Sequence, residues 1–227
     1  MAKWGFGAAA AALAAPFVVG QAEAQEWYAA VSASYSDVDS MDTTIFNRLG
    51  PGTNLVAQFD PETGFGARGA VGVDAGAIRF EGEFGMSRND FEKYHSNGPP
   101  QQNLPMTGQV KIVTAMLNGY MDFDIAGAGF VPYLGLGVGA AATDIEANGP
   151  LPTAPTGPSV ALIDDDQTNL AYQAVAGFAL PLGDRFWLTL QYRYFNGGNV
   201  EGTDTTGRAY RTDVSSGNVD AGIRIRF

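Results

Sequence analysis

The residues from Asn218 to Phe227 alternate without a break. Val219, Ala221, Ile223, Ile225 and Phe227 form one set, and Asn218, Asp220, Gly222, Arg224 and Arg226 form the other. Successive side chains of a strand point to opposite faces, so this segment has a wholly apolar face suited to lipid and a polar face suited to a barrel interior.

The same pattern recurs upstream. Trp27, Ala29, Val31, Ala33 and Tyr35 oppose Tyr28, Ala30, Ser32, Ser34 and Ser36, predicting a first strand. A second sets Phe65, Ala67, Gly69, Val71 and Val73 against Gly66, Arg68, Ala70, Gly72 and Asp74. The parity then switches in a tight turn at Ala75 to Ala77. In the third, Ile78, Phe80, Gly82, Phe84 and Met86 oppose Arg79, Glu81, Glu83, Gly85 and Ser87.

The fourth, near Gln109 to Phe123, is apolar on one face (Val113, Ala115, Leu117, Met121) and mixed on the other (Thr114, Met116, Asn118, Tyr120, Asp122), so the purely apolar set is placed outward. In the fifth, Leu134, Leu136 and Val138 oppose Tyr133, Gly135, Gly137 and Gly139, glycines that leave room for long side chains across an interior. The sixth sets Tyr172, Ala174, Ala176 and Phe178 against Gln173, Val175 and Gly177, and the seventh sets Phe186, Leu188, Leu190, Tyr192 and Tyr194 against Trp187, Thr189, Gln191 and Arg193.

With the terminal segment the predicted strands number eight, each of about 9 to 11 positions, the length a tilted strand needs to cross a membrane. The short connections, near 75–77, 124–129 and 182–185, are expected to face the periplasm. The long ones, near 37–63, 88–108, 144–166 and 196–211, are expected to face outside. Their Gly, Pro, Asn and Asp content predicts mobile, variable loops.

Composition narrows the class. Hydrophobic residues are 45% of the chain and glycine occurs 30 times, yet no stretch reads as a spanning helix. Only helices and closed barrels satisfy every backbone polar group in lipid, so the expected fold is all-β, an eight-stranded antiparallel up-and-down transmembrane β-barrel. The formal charge of −11 excludes a nucleic-acid partner, which would require clustered Lys and Arg. The absence of cysteine excludes disulfides and lipid attachment to a cysteine.

Near the start, Lys3 precedes an apolar stretch, Ala8 to Gly20, and Ala22-Glu23-Ala24 has the small-any-small form of a cleavage site. Residues 1–24 are therefore expected to be a cleaved export signal, and residues 25–227 the barrel domain, with both mature ends in the periplasm.

The segments LNGYMDF (Leu117 to Phe123), PYLGLGVG (Pro132 to Gly139), YRY (Tyr192 to Tyr194) and the terminal RIRF resemble the small Gram-negative outer-membrane barrels of the opacity-protein and OmpA-like transmembrane type. The resemblance spans essentially the whole mature chain. It implies insertion by the barrel-assembly machinery, with Tyr192, Ile223, Ile225 and Phe227 as the assembly signal. It does not extend to a periplasmic peptidoglycan-binding domain, so no cell-wall tether is expected.

Candidate chemistry gathers on the interior face: Arg68, Asp74, Arg79, Glu81, Glu83, Asp122, Arg193, Asp220, Arg224 and Arg226. A barrel of eight strands is only wide enough for side chains to fill it, so these charges are expected to pair across the lumen and close it. The alternative is a gated path for ions or small solutes.

An enzyme reading would rest on His95, the single histidine, beside Asp90, Glu92 and Ser96. Placed in a flexible outer loop ahead of Pro99 and Pro100, it lacks the fixed contact a general base needs. Asp164-Asp165-Asp166 and the spread of Asp37, Asp39 and Asp42 lack the ligand spacing of a dedicated calcium loop and read as solvated loop charge. No catalytic residue, cofactor or metal is expected. Aromatics at the strand ends (Trp27, Phe123, Phe130, Phe186, Trp187 and Phe227 below; Tyr35, Tyr172 and Tyr194 above) fit interfacial girdles.

The expected function is that of an integral outer-membrane barrel with a structural or surface-interaction role through its outer loops. The alternative is a narrow porin-like channel, and a lipid A-modifying enzyme is the weakest reading. Expected partners are outer-membrane lipid and lipopolysaccharide, the barrel-assembly machinery, and an extracellular ligand of the loops.

Overall fold

Period-two patterning leaves each strand one face for lipid and one for an interior, and closing the sheet on itself is what gives every strand two hydrogen-bonded neighbours. A computed structural model describes residues 26–46, 52, 54–96, 102–105, 107–149, 160–203 and 209–227. The expected export signal, residues 1–24, lies outside them.

Among the described residues there are eleven strands: β1 (Glu26–Val38), β2 (Met41–Ile45), β3 (Leu55–Pro61), β4 (Gly64–Asp74), β5 (Ile78–Ser96), β6 (Gln102–Pro105), β7 (Thr107–Asp122), β8 (Val131–Gly149), β9 (Val160–Pro181), β10 (Phe186–Thr203) and β11 (Ala209–Arg226). Eight of them, β1, β4, β5, β7, β8, β9, β10 and β11, pair antiparallel in that cyclic order. The seam between first and last runs from Tyr28 opposite Arg226 to Val38 opposite Ser216 and closes the ring. The all-β, eight-stranded up-and-down barrel is thus the observed fold.

The short connections sit together at one rim, with both described ends of the chain. In the first, Gly76 has φ of 85°, the Ala75 amide donates to the Ile78 carbonyl at 2.9 Å, and the Gly76 amide donates to the Asp74 carboxylate at 3.0 Å. A positive φ is open to glycine without steric cost, which fixes this turn and its parity switch. By the rule of short turns inside and long connections outside, this rim is periplasmic.

Above the membrane the loop expectation is corrected. Strand pairing does not stop where the apolar outward face stops: β5 runs on to Ser96, β8 to Gly149, β9 begins at Val160, and β10 and β11 stay paired as far as Thr203 opposite Ala209. β2 pairs with β11 and β3, and β3 and β6 pair with β5, so these short strands carry the wall upward. His95 lies in this extension with its backbone paired to Gln58 and Asn103, and Asp164 to Asp166 lie in β9 opposite Glu146 to Asp144.

The physical reason is an inversion of the alternation. Across the lipid zone of β7, Val113, Ala115, Leu117 and Met121 face out and Asn118, Tyr120 and Asp122 face in. Higher on the same strand the buried residues are Val110 and Ile112, while Lys111 turns outward. Once water replaces lipid outside, burial of apolar surface favours the inside. A reading that tracks apolar-out residues loses the strand at that point.

The interior therefore has two storeys. The upper is an apolar cluster of Val38, Phe91, Val110, Ile112, Ile145, Ala147, Phe195, Val200, Tyr210 and Val214, with Met116, Ala141 and Ala171 beneath. The lower is polar. On the outside, the apolar belt includes Leu136, 73% exposed, and Leu170, 75% exposed. Trp187 is corrected out of the aromatic girdle: it points inward, its ring lying against Arg224 and Arg226.

Candidate functional site

The alternation of the lower strands puts all ten of the candidate charged residues on the interior face, and the cyclic strand order brings residues far apart in sequence into contact. Arg193 of β10 is 1% exposed and sits at the centre. Its Nη1 and Nη2 donate to the two carboxylate oxygens of Glu83 at 3.0 and 2.8 Å, and its Nε donates to Asp220 Oδ2 at 2.9 Å. This fork geometry is the strong form of an arginine–carboxylate pair.

Asp220 also accepts from Arg68 Nη1 at 2.7 Å and from Gln191 at 2.8 Å, and Arg68 donates to the Ser34 hydroxyl. Nearer the periplasm, Arg79 Nε and Nη2 donate to Asp122 at 2.7 and 2.9 Å, with the guanidinium 4.6 Å from the ring centre of Tyr120 and 5.0 Å from that of Tyr133. At the rim, Arg226 donates to Asp74 at 2.7 Å and lies 3.4 Å from Glu26.

Neutral side chains join these pairs, apart from the one at the rim, into one system. Gln173 bridges Glu83, at 3.4 Å, to Asn118, at 2.7 Å. Asn118, Tyr120 and Tyr28 donate to Glu81 at 3.3, 3.2 and 3.0 Å, and Arg79 donates to the Tyr28 hydroxyl at 3.3 Å. Tyr133 donates to Gln191 at 2.8 Å, which brings in β8, so each of the eight ring strands supplies at least one member. Away from water such a network is strong when its members are satisfied and costly where one is left alone.

Two glycines of β8 make the room. A Cβ on Gly135 would lie 2.3 Å from the Tyr120 ring, and one on Gly137 would lie 2.1 Å from the Asn118 side-chain oxygen. Only a residue without a side chain lets those groups cross to Glu81.

Pairing across the lumen is not universal. The five cations and five acids balance, yet Arg224, 2% exposed, makes no ion pair among the described residues, and its Nε and Nη1 have no hydrogen-bond partner. It lies instead between aromatic faces, 5.5 Å from the Tyr28 ring centre and 5.1 Å from that of Trp187. The upper apolar storey was not foreseen. Its signal was available in Val110, Ile112, Ile145 and Val214, apolar residues with the interior parity of their strands, whereas Val200 turns inward only through the register shift between Asn196 and Asn199.

Of the residues assigned to the assembly signal, Tyr192, Ile223 and Ile225 face outward on β10 and β11, and Phe227, one residue past β11, is exposed. Among the described residues no group of three or more His, Cys, Asp or Glu side chains is arranged to hold a metal ion. The outward apolar belt, the polar network inside and the ring without an edge define a bacterial outer-membrane β-barrel protein embedded in lipid.

The chain belongs to the family of the outer membrane protein beta-barrel domain, whose pattern it matches over residues 5–227. It is similar to outer membrane protein PagN of Salmonella typhimurium, with 29% identity over 133 residues, 55% of this chain and 54% of that protein. It thus spans about half the length of that curated relative. Among solved structures it is similar to Neisserial surface protein A, with 20% identity, 90% of this chain, 100% of the other and a TM-score of 0.50. It is also similar to OprG of Pseudomonas aeruginosa, with 14% identity, 91% and 97% coverage and a TM-score of 0.57. At these identities the structural likenesses establish the fold.

Proposed function

We propose that this protein is a closed, non-enzymatic barrel that holds outer hairpins above the membrane for contact with an extracellular ligand. The observation that carries this reading is the doubly filled interior: the ion-pair network spans the lower lumen from wall to wall, and the apolar storey packs the lumen above it. A porin-like conduit would need both layers to part. The extended wall further supports a display role, because paired strands hold the hairpins out from the lipid surface.

The proposed life history is export through a cleaved segment at residues 1–24, leaving residues 25–227 as the barrel. Insertion follows by the barrel-assembly machinery reading Tyr192, Ile223, Ile225 and Phe227. Lipopolysaccharide is the proposed neighbour of the outward charges above the apolar belt, among them Arg88 and Lys111, which face each other across β5 and β7.

Conductance across planar bilayers tests the closed state. The purified barrel is expected to give no discrete steps, and reproducible single-channel steps from heat-modifiable, folded protein would overturn it in favour of the channel. Display tests the second half. Replacing residues 150–159 and 204–208 with short Gly-Ser linkers should abolish adhesion of expressing cells to a ligand-bearing surface while leaving the folded band unchanged. Equal adhesion with the linkers in place would assign contact to another part of the molecule.

A further inference from the structure

A cavity in the lower lumen has a chemically uneven wall. It is about 40 Å³ and is bounded by Ser32 of β1, Arg68 of β4, Glu81 and Glu83 of β5, Thr189 of β10 and Arg224 of β11, among others. A water-sized site needs roughly 10–15 Å³ on this measure, so the space holds a single monatomic ion or a few small atoms and nothing larger.

The acids in the wall are already engaged. Glu83 is held by the Arg193 fork and Gln173, and Glu81 by the Tyr28 and Tyr120 hydroxyls and Asn118. Of the two cations, Arg68 is paired with Asp220, whereas Arg224 is not paired at all among the described residues. The Tyr28 and Trp187 rings contact the guanidinium. That contact leaves Nε and Nη1 without acceptors. The indole N–H of Trp187, whose residue is directly opposite Arg224 in the strand register, also has no acceptor. A buried guanidinium with idle donors beside a polar cavity is destabilising unless a counter-charge enters.

We propose that this cavity is a binding site for a small anion of halide size, held by Nε and Nη1 of Arg224. The anion supplies a charged acceptor in contact with the guanidinium, where the interior carboxylates all engage other donors. Because Arg224 lies on β11 and Ser32 on β1, it also ties the first and last strands together at the seam where the ring closes. This site is independent of the display role: the barrel can bind an anion whether or not its hairpins bind a ligand.

Sodium bromide is the probe. Protein folded in detergent in increasing bromide, at ionic strength held constant with gluconate, is expected to show a saturable change in Trp187 fluorescence. Trp187→Phe should lose that saturable component. Arg224→Lys, which keeps the charge and loses the paired donors, should weaken binding about tenfold. Glu81→Gln removes a negative charge from the wall and should tighten it.

Anomalous scattering at the bromine absorption edge from crystals grown in bromide should place a peak in contact with Arg224. This measurement does not depend on any variant folding. A linear, unsaturable fluorescence response, a saturable response unchanged in Arg224→Lys, or a cavity holding water only would each overturn the proposal.

Discussion

The two storeys of the interior are built from the same eight walls and filled by opposite chemistry. In the lower one, Arg193, Glu83, Asp220 and Arg68 are buried as an ion-pair network; in the upper one, Val110, Ile112, Ile145, Phe195, Val200 and Val214 form an apolar core. What differs is the medium outside. Where lipid surrounds the wall, an apolar side chain gains little by turning inward, because lipid tails are as apolar as the interior it would enter. Contacts that fix a unique arrangement must then come from hydrogen bonds and charge. Where water surrounds the wall, burial of apolar surface regains its driving force and the interior becomes an ordinary core.

That contrast is most exposed to test at the centre of the lower storey. Arg193→Met removes one cation, strips Glu83 of its fork and leaves Asp220 with Arg68 as its one paired cation, and should destabilise the barrel by about 3–5 kcal/mol in urea-induced unfolding from lipid vesicles. A loss under about 1 kcal/mol would mean that the network behaves like a surface pair and that the storeys do not differ as argued.

In the upper storey, Ile145, 2% exposed, is replaced by alanine at the cost of a cavity, expected to be about 3 kcal/mol. This loss should be insensitive to salt. A variant as stable as the parent would show that the upper wall is not packed as a core.

Gly135→Ala probes the fit between wall and network. Its Cβ would press on Tyr120, and the displaced ring should cost about 1–3 kcal/mol, read by the same unfolding titration. Smallest of all, Arg211→Ala breaks an exposed pair with Glu201 on the outer face of the β10–β11 extension, and should change stability by less than about 0.5 kcal/mol. High salt should erase even that difference, while leaving the Arg193→Met loss largely intact.

Much of the barrel was legible along the chain. The outward sets in all eight segments, the three short connections and the inward parity of Arg193, Glu83 and Asp220 follow from alternation alone, because a strand's side chains have no other choice of face. The outer half was less legible. Asp164 to Asp166 and the neighbourhood of His95 read as loops, since an apolar outward face was the feature being followed and it ends where lipid ends. Arg224 read as one more paired charge, since balance in number does not reveal which cation meets which acid.

The sequence by itself determined the fold class, the number of ring strands, their order of faces and the membrane in which they sit, all consequences of a period of two against an apolar medium. Only the tertiary structure decided the partners. Residues as distant as Glu83 and Arg193 meet because the ring closes with a particular stagger, and that stagger is set by pairing across strands rather than by any local preference. It also left Arg224 facing a cavity instead of a carboxylate, and carried the wall beyond the lipid, where the same alternation continues with its apolar side turned inward.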